Sequence, residues 1–238
     1  LEHGTPVENM LLLTFTNKAA KEMMMRVEGL LRAYPTGLWS GTFHSIANRM
    51  LRMYGSQTGF GSDFSILDEE DASDLMKMCI KELRIDTKDR RFPSVGVLRG
   101  LLSYSNNARR TLQSVLNDRA EHFAGIIHEV TAVAERYASA KRTAKAMDFD
   151  DLLLELLKLL RENDSVRTQL ANRFQFVLVD EFQDTNIIQS DIVDLLSSGH
   201  RNLLVVGDDA QSIYSFRAAE IRNILDFQKR YPEAQSYR

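Results

Sequence analysis

Only one cysteine, Cys79, occurs in this 238-residue sequence, which excludes an intramolecular disulfide; in its helical surroundings the thiol reads as a small core hydrophobe. The five histidines show no metal-ligand spacing. No apolar run reaches the roughly 18 to 20 residues that span a bilayer, and the chain does not open with a charged stretch and an apolar signal core. A cytoplasmic protein is therefore expected. A basic excess is also missing: 30 Lys and Arg stand against 33 Asp and Glu, a net charge of −3. That excludes a nucleic-acid site spread over the whole surface and leaves only local ones. Internal repeats, low-complexity tracts and Gly/Ser linkers are absent too. What is present is an apolar fraction of 44%, enough to bury the core of one large domain or two small ones.

Local basic stretches do exist. Lys18, Lys21, Arg26, Arg32, Arg49 and Arg52 face only Glu22 and Glu28 between Met10 and Phe60. Lys88, Arg90, Arg91, Arg99, Arg109 and Arg110 outnumber Asp86 and Asp89 between Asp86 and Leu112. Either stretch alone reads as a solvated helix face.

Three apolar runs, Met10 to Leu13, Phe176 to Val179 and Leu203 to Val206, do not alternate with polar residues. Runs of that length between helical patterns suit strands covered on both faces, as in a parallel sheet flanked by helices. Each ends abruptly in polar residues: Thr14 to Asn17, Asp180-Glu181 and Gly207 to Asp209. Ligands of open α/β sheets bind at the carboxyl ends of the strands, so three such endings imply one shared site. After the first run, Ala20, Met23, Met24, Val27, Leu30 and Leu31 keep the spacing of a buried helix face, with Asn17 as N-cap and the methionines as core filler. From about Asp68 to Phe174 no strand-like run appears, only amphipathic helices such as the one carrying Phe123, Ile126, Ile127, Val130, Ala134 and Tyr137. The expected organisation is an α/β domain in two parts, 1–68 and 148–238, around an all-helical insertion at 69–147. Helices starting near Asp148 and Ser165 lead back to the sheet.

The chemistry concentrates after the second and third runs. A buried strand that delivers two adjacent carboxylates suits metal-assisted phosphoryl transfer: Asp180 is the candidate Mg²⁺ ligand and Glu181 the candidate base. An acidic pair after one strand is, by itself, often only a solvated strand end. The third run leads into Gly207-Asp208-Asp209-Ala210-Gln211-Ser212-Ile213-Tyr214-Ser215-Phe216-Arg217. There Gln211 can bond a terminal phosphate or the lytic water, and Tyr214 and Phe216 can stack on unpaired bases. In isolation these aromatics would read as packing beneath the next helix.

In order and spacing, Leu13 to Ala20, Gly41-Thr42-Phe43-His44, Val179 to Asn186 and Val206 to Ala219 resemble motifs Ia, Ib, II and III of superfamily 1 DNA helicases of the UvrD/Rep/PcrA type. The resemblance covers nearly the whole chain, although the insertion matches only in placement and helical character. It implies a RecA-like 1A domain of the P-loop NTPase type with a helical 1B insertion, and a 3′-to-5′ helicase driven by ATP and Mg²⁺. It assigns Asp180 to Mg²⁺, Glu181 to the base, and Gln211 to sensing the γ-phosphate. Thr14, Phe15, Asn17, Thr42, His44, Tyr214, Phe216 and Arg217 would line the path of single-stranded DNA, and the implied partners are single-stranded DNA and DNA duplex junctions. His44 alone would read as a satisfied, partly buried histidine; the ordered motif assigns it to DNA.

The sequence also departs from the family pattern. Ala218 stands where members commonly have Gly, and Ala210 where they have an acidic residue. No stretch reads GxxxxGK[ST], although members place such a phosphate loop a few tens of residues before motif Ia, and the second RecA-like domain with its arginine finger is missing. The first residue is Leu, not Met. A fragment of a longer protein is expected, inactive by itself. The competing expectations are a fragment of a RecB/AddA-type helicase-nuclease, disfavoured by Gln211-Ser212-Ile213-Tyr214, and a non-catalytic DNA-binding or interaction module.

Overall fold

The computed structural model describes residues 5–87, 92–208, 210 and 219–237. Along the chain run β1 (Met10–Thr14), α1 (Asn17–Leu31), β2 (Trp39–Thr42), α2 (Phe43–Met53), β3 (Ser65–Ile66), α3 (Glu69–Glu82), α4 (Val95–Asn107), α5 (Leu112–Arg119), α6 (Ile127–Thr143), β4 (Ala146–Met147), α7 (Phe149–Glu162), α8 (Asp164–Arg173), β5 (Phe176–Val179), α9 (Ile187–Ser197), β6 (Leu203–Val205), α10 (Arg222–Leu225) and α11 (Phe227–Arg230). They form two compact units, Leu1–Met50 with Leu156–Arg238, and Leu51–Glu155.

The first unit is a RecA-like α/β fold built on a parallel sheet in the order β2-β1-β5-β6. β1 is central because Leu11, Leu12 and Leu13 are all buried, as a strand covered on both faces requires. β2 was not among the expected strands. Its sequence, Trp-Ser-Gly-Thr, alternates buried and half-buried positions instead of forming an apolar run. Trp39 anchors it: the indole lies edge-on to Phe174 with centroids 5.1 Å apart, and the Arg49 and Arg173 guanidinium carbons lie 3.6 and 4.8 Å from its ring centroid.

Two expectations for this unit need correction. The N-cap of α1 is Thr16, whose hydroxyl accepts the Ala19 N–H at 3.1 Å; Asn17 is the first helical residue. Nor is the apolar face of α1 core, for Met23, Met24 and Val27 are only half-buried and Leu30 is 85% exposed. Helical spacing defines a face, but only a covering element buries it, and among the described residues little covers this one. The same holds for β6, where Leu204 is 53% exposed on a strand whose neighbour, among the described residues, is β5 alone.

In the second unit α3 to α6 pack around Met76, Cys79, Leu98, Val115, Val130 and Val133. Cys79 is a buried free thiol, with burial the first cause of its raised pKa. In the second basic stretch Arg99 pairs with Glu69 at 2.6 Å and Arg110 with Asp118, whereas Lys88, Arg90 and Arg91 lie outside the described residues. The unit is not all helical, since β3 and β4 form a short parallel bridge, Ser65↔Ala146 and Ile66↔Met147, too short to register as an apolar run. Beside it lies a buried polar cluster. The Lys141 ammonium sits 2.6 Å from a carboxylate oxygen of both Asp148 and Asp151, and the Tyr137 hydroxyl donates to Asp148 at 3.0 Å. Burial pushes Asp151 up to about 6, aided by the charge of Asp148. Burial also opposes ionisation of Asp148, but Lys141 outweighs it and holds that carboxyl below its usual range.

Candidate active site

Three strand endings converge at the carboxyl edge of the first unit's sheet. Leu13 is the register partner of Val179, and Val179 of Val205. Beyond the last paired residues the stitching continues: Asp180 N–H donates to Leu13 C=O at 2.9 Å, Val206 N–H to Val179 C=O at 2.8 Å, and Phe182 N–H to Val206 C=O at 2.9 Å. Thr14, Asp180-Glu181 and Gly207-Asp208 therefore leave the sheet side by side, at the edge where open α/β sheets bind ligands.

Glu181 turns the chain out of β5 with left-handed backbone angles, φ 53° and ψ 44°. A side-chain-bearing residue there is strained by about 1–3 kcal/mol, so the surrounding structure must hold it. The holding residues follow directly. Phe182 is buried against Phe227, centroids 5.7 Å apart. The Gln183 amide donates to Glu181 Oε2 at 2.6 Å, while its carbonyl oxygen accepts the Asp208 N–H at 3.1 Å. Thr185 Oγ1 donates to Phe182 C=O at 2.6 Å, and Asn186 and Gln189 form a capping box that starts α9. Asn223 closes the loop from the far side, its amide donating to Thr185 C=O at 2.9 Å and Asn186 C=O at 3.2 Å. Burial first, then the neighbouring Glu181 charge, raises the Asp184 carboxyl above its usual range.

The expected site residues fall into three groups. Asp180 and Glu181 are half-buried at the strand edge, with Phe15 and His44 half-buried and Asn17 exposed on the elements beside them. Thr42 is committed locally, its hydroxyl accepting the Ser45 N–H at 3.2 Å in the first turn of α2. Thr14 is fully buried at the end of β1. Gln211, Tyr214, Phe216 and Arg217 lie outside the described residues.

Sequence reasoning missed the supporting loop. Gln183, Asp184, Thr185 and Asn186 are polar, yet all four are buried. The usable signal was the polar run itself: a loop of side chains that can bond one another, directly after a carboxylate pair.

Among the described residues no group of three or more His, Cys, Asp or Glu could hold a metal by itself. The strand edge fits a different donor set. It offers one or two carboxylates from the chain beside a buried Thr14 hydroxyl that has no partner in the described structure, which suits a cation whose other ligands come with a nucleotide. A cavity of about 400 Å³ lined by Asp194, Ser197, Arg201, Arg230 and Tyr231 is less suited to an ionic ligand, because its charges are spent on internal pairs: Arg230 with Asp194 at 3.0 Å and Arg201 with Glu233 at 2.9 Å.

Fold and strand edge together define a RecA-like α/β core with an acidic crevice. The chain belongs to the UvrD/REP helicase N-terminal domain family, which it matches over residues 1–232. It is 37% identical over 228 residues to a protein named ATP-dependent DNA helicase PcrA from Staphylococcus aureus, covering 96% of this chain and 30% of that protein. The protein of the same name from Staphylococcus epidermidis is 38% identical over 229 residues, with the same coverage. The chain thus spans 30% of the length of these relatives. No helix among the described residues is long and apolar enough to cross a membrane.

Proposed function

We propose that this chain is the first motor domain of a cytoplasmic, ATP-dependent 3′-to-5′ DNA helicase, with 69–147 as its inserted subdomain and 1–68 and 148–238 as the two parts of its core. The observation that carries the reading is the stitched carboxyl edge, where Asp180 and Glu181 emerge between Thr14 and Gly207-Asp208. The name of the relatives, DNA helicase PcrA, favours this over a helicase-nuclease or a non-catalytic module.

In this reading Asp180 holds Mg²⁺, and the ion, when bound, offsets negative charge on the nucleotide phosphates. Glu181 orients the attacking water and accepts its proton. The strained backbone and the Gln183 amide fix the carboxylate before substrate arrives, so little reorganisation is left for the reaction itself. Gln211 senses the terminal phosphate. Phe15, just beyond β1, Asn17, on α1, and His44, on α2, contribute to the single-stranded DNA path together with Tyr214, Phe216 and Arg217. The phosphate cradle and the arginine finger come from parts of the whole protein other than these 238 residues.

Strand displacement by the whole protein tests the function. Duplexes with a 3′ tail should be unwound with ATP and Mg²⁺, and duplexes with a 5′ tail should not; unwinding from the 5′ tail alone would contradict the reading. For the DNA path, Phe216→Ala should weaken single-strand binding with little change in salt dependence, whereas Arg217→Ala should lower the salt slope by about one unit. Wild-type binding by both variants would remove that segment from the path.

A further inference from the structure

We propose that Gln183 is a positioning residue that ties the Glu181 carboxylate to the turn leaving β6, coupling the base to the segment that follows. The inference rests on the reading of Glu181 as the base. Four observations lead to it.

The first is that the Gln183 side chain is bonded at both ends. Its NH₂ group donates to Glu181 Oε2 at 2.6 Å, and its oxygen accepts the Asp208 N–H at 3.1 Å. A flipped amide would set oxygen against carboxylate and NH₂ against N–H, so both contacts select the same orientation. The second is burial. Gln183 is 1% exposed, and a buried amide is tolerated when its polar atoms are satisfied; breaking one contact leaves a costly orphan, so the two ends are held together.

The third is the close approach at Gly207. A Cβ there would lie 2.5 Å from Gln183 Oε1 and 2.6 Å from Ile224 Cδ1. The turn reaches the amide because this residue has no side chain. The fourth is that the chain returns to the same loop. Glu220 N–H donates to Thr185 C=O at 3.0 Å, and Asn223 bonds Thr185 and Asn186. Asp208 and Glu220, which bracket the part of the chain carrying Gln211, Tyr214, Phe216 and Arg217, are therefore both fastened to the loop that begins at Glu181. A displacement of the Gly207-Asp208 turn is passed through one amide to the carboxylate.

The test uses the whole protein and compares Gln183→Met, Gly207→Ala, the double variant and Glu181→Gln. ATP turnover is measured with and without single-stranded DNA, beside DNA affinity and thermal melting. Gln183→Met keeps the volume and removes both bonds; Gly207→Ala displaces the amide from the other end. Each should lower DNA-stimulated kcat by about tenfold or more, leave KM for ATP and the DNA affinity within about twofold, and reduce the ratio of stimulated to basal turnover. The double variant should be no worse than the worse single, because both changes cut one link. If Gln183→Met melts below the assay temperature, Gly207→Ala carries the test. Near-normal stimulation in the Gln183 and Gly207 variants, beside a Glu181→Gln variant without turnover, would overturn the link alone. Additive losses, or a rise in KM that matches the fall in kcat, would also overturn it. Near-normal turnover by Glu181→Gln would overturn the base assignment and the link with it.

Discussion

The backbone N–H of Asp180 donates to the carbonyl of Leu13 at 2.9 Å, so the backbone that carries the first carboxylate after β5 is fixed to the end of β1. Two parts of the sequence more than 160 positions apart are joined where the chemistry is proposed, and the bond is a backbone one that no side-chain substitution removes directly. Side-chain changes in this crevice should accordingly alter activity before they alter the fold.

Stability should respond most to the packing beneath the sheet. Phe174 is fully buried and meets Trp39, itself buried, edge to face. Phe174→Ala should cost about 3–5 kcal/mol, the range for removing a buried aromatic ring. Trp39 is the only tryptophan, so its fluorescence during urea unfolding reports this unit directly. A loss under about 1 kcal/mol would contradict the assignment of Phe174 to the core.

The buried cluster of the second unit predicts a pH dependence. Asp151 binds its proton more tightly folded than unfolded, with a folded pKa of about 6. Its contribution to stability is therefore present at low pH and is lost as pH rises from about 4 through 6, by at most about 1.4 kcal/mol per pH unit. Asp148, held down by Lys141, contributes in the opposite sense and loses its contribution only at pH below the ordinary carboxylate range. Asp151→Asn should flatten the melting-temperature profile between pH 4 and 6.5. An unchanged slope in that variant would show that Asp151 does not carry it.

The 238 residues alone should bind nucleotide weakly at most and hydrolyse none, for Asp180 and Glu181 present negative charge to a polyanion and no GxxxxGK[ST] sequence offers converging N–H groups. Binding to single-stranded DNA should be salt-sensitive and weaker than that of the whole protein. Calorimetry with ATP and Mg²⁺ checks the first point; micromolar affinity would contradict it.

The sheet was legible in the sequence where burial is two-sided. Leu11 to Leu13 and Val177 to Val179 are apolar without interruption because helices and strands enclose them, and the acidic pair stands where such a strand must end. Less legible was β2, since Trp39 alone supplies most of its burial and Ser40, Gly41 and Thr42 look like a turn. Helical periodicity in α1 identified a face but not its cover, so the burial of Leu30 was overestimated. Least legible was the burial of the loop from Gln183 to Asn186, where hydrogen bonds to residues up to 38 positions away replace water. Pairing of that kind is set by tertiary structure and leaves no periodic trace.

The central claim is that Glu181 is the base of a DNA-stimulated ATP hydrolysis, and phosphate release by the whole protein with saturating single-stranded DNA tests it most directly. Glu181→Gln keeps size and hydrogen bonding but cannot accept the proton, so turnover should fall by about 10² to 10⁴ while nucleotide affinity, measured on the same preparation, stays near that of the wild type. Turnover within a few-fold of wild type would contradict the account.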